Sequence, residues 1–115
     1  MNTEKEKILA AVRFWAITQG YEEIEKRGGA DSSFTKDGFI TSFITEFDKS
    51  SLQLKYAIPS AKREKSDFVY VVTNDNARRR ELIKFIPDYC GILCYANSFG
   101  LGFVYQVLKK AELAI

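Results

Sequence analysis

The sequence predicts one α/β domain over residues 1–115, with a mixed central β-sheet flanked by helices. Of its 115 residues 46% are hydrophobic and 14% aromatic, which is enough to fill a single core. The runs FVYVVT (68–73) and CGILCYA (90–96) are nearly all apolar, as is typical of strands buried on both faces of a sheet. Strand-like and helix-like segments alternate after residue 48, which favours parallel strands joined by helices.

Composition excludes several function classes. The net charge is only +2, so any case for nucleic acid depends on a local basic patch. No apolar run is long enough to cross a membrane and the first 20 residues lack a signal-peptide core, so we expect a cytoplasmic protein with no membrane partner. The chain has no histidine, which excludes Ser-His and Cys-His catalysis. Cys90 and Cys94 are expected to be reduced core thiols.

The N-terminal segment predicts a helix over residues 4–18. Thr3 and Glu6 have capping-box spacing, and Gly20 ends the helix. Its apolar residues recur on one helical face: Ile8, Ala11, Val12, Trp15 and Ala16. The next segment, YEEIEKR (21–27), predicts a short edge strand.

A β-hairpin is predicted next. The segments DSSFT (31–35) and FITSFITEF (39–47) flank Lys36-Asp37-Gly38, and Asp-Gly between two strand-like runs is a strong hairpin signal. The apolar pairs in 39–47 would also suit a helix face. Their aromatic and β-branched residues favour a strand.

Residues 49–67 fit either a helix or a strand. We favour a helix capped by Ser50 or Ser51, with Leu52, Tyr56 and Ala57 on its apolar face. We favour the helix because the segment must connect the strand at 39–47 to the strand at 68–73. Pro59 would restart or kink the helix.

Three elements complete the chain. The segment NDNARRRELIKFI (74–86) predicts a helix that Pro87 stops, and CGILCYA predicts a buried strand. The segment LGFVYQVLKKAEL (101–113) predicts either a last strand that pairs back or a C-terminal helix. Strand propensity dominates it through Val107.

The second hairpin strand ends in acidic residues. On a strand, Ile40, Ser42, Ile44, Glu46 and Asp48 share one face, because side chains repeat every two residues. The turn places Asp31 opposite the far end of this strand, beside Glu46. Two such carboxylates repel unless a cation or a shared proton holds them. Since Mg²⁺ typically uses one or two carboxylates plus substrate phosphate, the pattern predicts a metal-and-phosphate site.

The order of these elements resembles the restriction-endonuclease-like, PD-(D/E)XK, nuclease superfamily: helix, strand, Asp-bearing strand, turn, Glu-x-x strand, helix, buried strand, helix, buried strand. SDFVYVVTNDNARRRELIKFIPDYCGILCYA (66–96) looks particularly like its small bacterial and phage members. The resemblance extends from residue 4 to about residue 113. It implies a restriction-endonuclease-like fold and phosphodiester hydrolysis that depends on Mg²⁺ or Mn²⁺.

Carried over by position, Asp31 stands where the superfamily has its first metal-binding aspartate, and Glu46 stands at the (D/E) position. Asp48 occupies the position of the motif lysine and cannot supply its positive charge. Lys49 could replace that lysine if the strand ends at residue 47, and Lys55 is another candidate.

The superfamily's helix-borne glutamate would correspond to Glu4 or Glu6. A basic track for a phosphate backbone is a further expectation, its residues being Lys55, Lys62, Arg63, Arg78 and Arg79. A solvated helix face is the alternative, since Arg78 to Arg80 cannot all point one way.

Two functions therefore stay open. One is a metal-dependent nuclease acting on DNA, or less readily on RNA. The other is a catalytically degenerate binding protein with the same fold, such as a phage or mobile-element accessory factor that binds DNA or a protein. Asp48 in place of lysine favours the second. A hydrophobic sheet edge could also support a homodimer.

Overall fold

The described residues form a six-stranded β-sheet with a helix on each face. The computed structural model describes residues 3–47, 49–73, 84, 86–98 and 101–113. The strands lie in chain order across the sheet, β1-β2-β3-β4-β5-β6. The pairs β3–β4 and β4–β5 are parallel and the other three pairs are antiparallel, which confirms the predicted mixed sheet and α/β class. The elements are α1 (Thr3–Thr18), β1 (Glu22–Ile24), β2 (Ser32–Lys36), β3 (Phe39–Thr45), α2 (Ser51–Arg63), β4 (Phe68–Thr73), β5 (Gly91–Ser98) and β6 (Leu101–Lys109).

The predicted hairpin is confirmed as β2 and β3. Asp37 (φ 55°) and Gly38 (φ 82°) both adopt left-handed backbone conformations, which matches the right-handed twist of the flanking strands. The turn sets Lys36 opposite Phe39, and the register then runs to Ser32 opposite Phe43. β1 pairs with the outer side of β2, so it is the short edge strand that the sequence predicted.

α2 connects β3 to β4 and makes their parallel pairing possible. Ser50 caps the helix: its side chain accepts from the Gln53 N–H, and the Gln53 side chain accepts from the Ser50 N–H in return. The helix continues through Pro59 to Arg63. The predicted helix is therefore confirmed, and strand is excluded for this segment.

The predicted apolar face of α2 is wrong in part. Leu52 and Tyr56 are 62% and 70% exposed, and Ala57 is only half-buried. The residues that face the sheet recur at helical spacing: Leu54, Ile58 and Ala61. Because each residue advances a helix by 100°, positions 52 and 56 lie about 200° from positions 54 and 58, away from the sheet.

The core has two halves, one on each face of the sheet. On the α1 side, Phe43 lies at the centre of an aromatic group, edge-on to Phe34 with ring centroids 5.5 Å apart and stacked on Tyr70 at 5.6 Å. α1 covers this group with the apolar face that the sequence predicted, which includes Ile8 and Val12. On the α2 side, the apolar residues of α2 pack on the alternate side chains of the sheet, including Ile44, Val69, Val71 and Ile92.

The C-terminal part of the sheet also agrees with the sequence. β6 pairs back on β5 as a strand, and Cys90 and Cys94 are buried free thiols. The helix predicted for 74–86 lies almost wholly outside the described residues; within it the structure describes Lys84, which is helical, and Ile86, which is buried. Within the described ranges, no helix combines the length and apolar character needed to cross a membrane.

Candidate functional site

Asp31 lies at the edge of the sheet where β3 ends, one residue before β2 begins. Its N–H donates to the carbonyl of Phe43 at 2.9 Å, which continues the hairpin ladder by one bond. Its carboxylate oxygen Oδ2 accepts from the backbone N–H of Thr45 at 2.8 Å and from the Thr45 hydroxyl at 3.1 Å. Thr45 therefore fixes the orientation of the carboxylate.

Two lysines compensate the charge of Asp31. Lys49 Nζ lies 2.8 Å from Oδ2 and also donates to the carbonyl of Thr45 at 3.1 Å. Lys5 Nζ, from the first turns of α1, lies 3.1 Å from Oδ1. The side chain of Asp31 is 11% exposed, that of Lys49 14% and that of Lys5 28%, so the centre is mostly shielded from water.

The ionised form of Asp31 is favoured in the folded protein. Burial by itself would raise the pKa of this carboxyl. The hydrogen bonds from Lys49 and Thr45, the positive charge of Lys49 and the contact with Lys5 outweigh burial and hold the pKa below its usual value of 3.8. Asp31 is therefore a carboxylate at neutral pH.

Glu46 is buried on the β4 side of the same strand end. Its Oε1 accepts from the Thr73 hydroxyl at 3.1 Å, and its N–H donates to the carbonyl of Val72 at 3.1 Å. With Ile8 and Tyr95 it lines a small cavity between α1, the end of β4 and the middle of β5. The prediction that Glu46 shares a face with Ile44 is wrong: β3 ends at Thr45, so the strand alternation stops before residue 46.

The two predicted ligands lie at one sheet edge, on opposite flanks of the end of β3. The register sets Ser32 opposite Phe43, so the carboxylate of Asp31 meets Thr45 and not the side chain of Glu46. Within the described residues, no three side chains of the Asp, Glu, Cys or His type group closely enough to hold a metal ion. Asp48, the other predicted acid, lies outside these residues.

The prediction for Lys49 assumed a strand that ends at residue 47, and the strand ends two residues earlier. β3 ends at Thr45, earlier than residue 47, and the N–H of Lys49 donates to the carbonyl of Glu46 at 3.2 Å in a turn. This turn brings the lysine ammonium to Asp31. Lys55, the other candidate, lies on the exposed side of α2.

Of the residues in the predicted basic track, the structure describes the three that lie on α2. Lys55 and Arg63 are exposed, and the ammonium of Lys62 lies 5.0 Å from the centre of the Tyr89 ring. These residues lie on the opposite face of the sheet from α1. Arg78 and Arg79 are outside the described residues.

Sequence reasoning missed three residues of the site: Lys5, Thr45 and Thr73. Of the α1 positions considered, Glu6 is exposed and Glu4 is half-buried, whereas Lys5 between them reaches Asp31. Its spacing offered a signal, since Lys5 precedes Ile8 by three residues and so lies near the buried face of the helix. Thr45 and Thr73 are the last residues of parallel neighbouring strands, where polar side chains commonly line a site.

The arrangement is a polar, partly shielded site at the carboxyl ends of two parallel strands. Its ammonium groups can bind phosphate oxygens, and its carboxylates can bind a cation or a proton. In comparisons with protein-family models, curated proteins and solved structures, the chain shows no significant match.

Proposed function

We propose that the protein is a metal-dependent, nuclease-like protein that acts on DNA phosphodiesters through Asp31, Glu46 and Lys49. The observation that carries the proposal is the 2.8 Å contact between Lys49 and Asp31. The Lys49 ammonium group lies beside the predicted metal-binding aspartate, where the nuclease superfamily has its motif lysine, although Asp48 occupies the motif position in the sequence. The order of elements supports the same proposal, since Asp31 directly precedes β2 and Glu46 directly follows β3, its neighbour in the sheet.

A Mg²⁺ or Mn²⁺ cofactor would be held by Asp31, joined by Glu46 if that side chain turned from Thr73 across the end of β3. Asp31 is ionised, and among the described residues its Oδ1 contacts only Lys5, a long side chain that is 28% exposed and can move aside. A bound ion would polarise the phosphodiester and lower the pKa of a water for attack.

The other residues of the site position these groups. Thr45 holds Oδ2 of Asp31 through two hydrogen bonds, and Thr73 holds Glu46. Lys49 turns from Asp31 toward the phosphate, where its charge stabilises the negative charge that develops in the transition state. Lys5 binds a second phosphate oxygen. DNA is the proposed partner, ahead of RNA.

A second candidate is a catalytically degenerate protein that binds DNA without metal. One observation favours it: a single carboxylate, Asp31, already has two ammonium partners. The ammonium groups of Lys5 and Lys49 would then bind phosphate without any cofactor. A phage or mobile-element accessory factor is the kind of protein this would be.

Cleavage of supercoiled plasmid DNA, in Mg²⁺ or Mn²⁺ and in EDTA, separates the two candidates. If the protein is a nuclease, we expect nicked or linear DNA in the presence of metal and no cleavage in EDTA. Lys49→Gln should reduce the rate about 10²-fold, the usual cost of removing one stabilising group from a transition state. Asp31→Asn should abolish cleavage, and a labelled RNA of equal length tests the preference for DNA.

The matched control is Lys7→Gln. Lys7 is an exposed lysine on the same helix as Lys5, and its replacement should leave the rate unchanged. Binding that persists in EDTA, with no cleavage under any metal condition, would reject the nuclease and favour the degenerate binder. Circular dichroism of each variant confirms that the fold is retained.

A further inference from the structure

A second cavity opens at the other end of β2 from Asp31. It has a volume of about 300 Å³, and its walls include the rings of Trp15, Tyr21 and Tyr70 and the side chains of Lys36 and Lys110. We call it the ring–lysine cavity. A smaller cavity of about 240 Å³ shares Tyr21 and Lys36 with it and continues along the sheet. The volume lies at the lower end of the range of small-molecule sites.

The rings of this cavity are fixed by the core behind them. Trp15 stacks with Tyr21 at 6.2 Å and meets Phe43 edge-on at 6.0 Å. Tyr70 stacks on Phe43 at 5.6 Å with only 16° between the ring planes, and its side chain is buried. A planar ligand would therefore enter between preformed walls, which lowers the entropy cost of binding.

The charge of the cavity is positive and uncompensated. Lys36 Nζ donates to the carbonyl of Gln19 at 2.7 Å and lies 5.2 Å from the centre of the Tyr21 ring. These contacts orient the ammonium but do not neutralise it. In the described part of the chain, no carboxylate lies within ion-pair distance of Lys36 or Lys110. An acidic residue, Asp37, lines the adjoining smaller cavity.

We infer that the ring–lysine cavity binds a planar aromatic ring that carries an anionic group, the chemistry of a nucleoside monophosphate. The rings stack on the base, as they do in proteins that bind unpaired nucleotides. Lys36 and Lys110 bind the phosphate through charge-assisted hydrogen bonds. The ligand is either a free nucleotide or the terminal nucleotide of a nucleic-acid strand.

This site is independent of the proposed nuclease site. Asp31 and Lys36 are five residues apart along β2, about 17 Å at the rise of an extended chain. The body of α1 lies between the two ends of the sheet on this face, with Lys5 near one end and Trp15 near the other. One mononucleotide cannot occupy both sites.

Tryptophan fluorescence reports on this cavity directly, because Trp15 is the single tryptophan of the chain. The full-length protein is titrated with adenosine monophosphate, with adenosine and with inorganic phosphate. We expect saturable quenching by the monophosphate and much weaker binding of the other two. Lys36→Gln and Lys110→Gln should each weaken binding about tenfold, because each removes one charge-assisted hydrogen bond.

Two controls accompany the titration. Lys26→Gln removes an exposed lysine elsewhere, and Asp31→Asn alters the other site; both should bind the monophosphate like the wild type. A 5′-phosphorylated oligonucleotide distinguishes the sources. Tighter binding than the monophosphate indicates a strand terminus, and weaker binding indicates a free nucleotide.

Several outcomes would overturn the inference. Adenosine binding as tightly as the monophosphate would remove the role of the lysines, and inorganic phosphate binding as tightly would remove the role of the rings. Wild-type affinity in both Lys36→Gln and Lys110→Gln, or no saturable signal at all, would reject the site. Loss of DNA cleavage has no bearing on these results, so failure of the two proposals can be told apart.

Discussion

Replacing Asp31 by asparagine should lower the free energy of unfolding by about 2–4 kcal/mol at neutral pH. Asparagine keeps the size of the side chain and an oxygen for the Thr45 N–H, but it loses the charge that pairs with Lys49 and Lys5. Breaking a fully buried ion pair costs about 3–5 kcal/mol, whereas an exposed pair contributes about 0–1 kcal/mol. The ion pair with Lys49 is close to fully buried, whereas the ion pair with Lys5 is intermediate between buried and exposed. The side chains of both lysines are partly exposed to water, which reduces the total cost.

The same substitution should remove a pH dependence. Because the pKa of Asp31 is lower in the folded protein than its usual 3.8, this residue contributes stability that is fully present above pH 3.8. That contribution is lost as the pH falls through the folded-state pKa. The difference in the free energy of unfolding between wild type and Asp31→Asn should therefore have its full value at pH 7 and decrease as the pH falls below 3.8.

Urea denaturation followed by Trp15 fluorescence and by circular dichroism measures both effects. The control is Asp37→Asn in the same hairpin, an exposed residue with a left-handed φ of 55° that asparagine accepts. It should change stability by less than about 0.5 kcal/mol. A loss below about 1 kcal/mol for Asp31→Asn, or a difference that stays constant to pH 2, would refute the assigned ion-pair network.

Two further predictions concern the fold. Burial raises the pKa of the Cys90 thiol to about 12, so Cys90 should not react with a thiol reagent in the native protein at pH 8. Cys94 should also not react, because its side chain is buried away from the reagent. Both should react in urea, and a fast-reacting native thiol would contradict the packing of β5. Ser50→Ala removes the side-chain cap of α2 and should cost about 1 kcal/mol in a urea denaturation series, whereas no loss would mean that the cap is dispensable.

The parts of the fold that local patterns encode were predictable. The Asp37-Gly38 turn places φ-permissive residues where the hairpin needs them, and β4 is an uninterrupted apolar run. The apolar face of α2 was predicted in the wrong phase. Leu52 and Tyr56 are apolar enough to suggest burial, but the contact with the sheet is made two positions further along, from Leu54.

The candidate site was predictable in its acidic residues and in Lys49. Asp31 and Glu46 were expected at one sheet edge because the hairpin register follows from the turn. Their partners depend on tertiary packing, since the position of α1 over the sheet brings Lys5 to Asp31. The end of β3 at Thr45 decides that Glu46 turns toward β4, and the pattern of 39–47 gave no sign of this.

The position of Lys49 in the site depends on the length of the link between β3 and α2. β3 ends at Thr45 and α2 begins at Ser51, so five residues join them. The hydrogen bonds of the strand hold one end of the link and the capping box of Ser50 holds the other. An insertion or deletion here would displace Lys49 while both flanking elements could still form. A change in the length of this link would therefore separate Lys49 from Asp31, and it would disrupt the charged centre more than most single substitutions in the link.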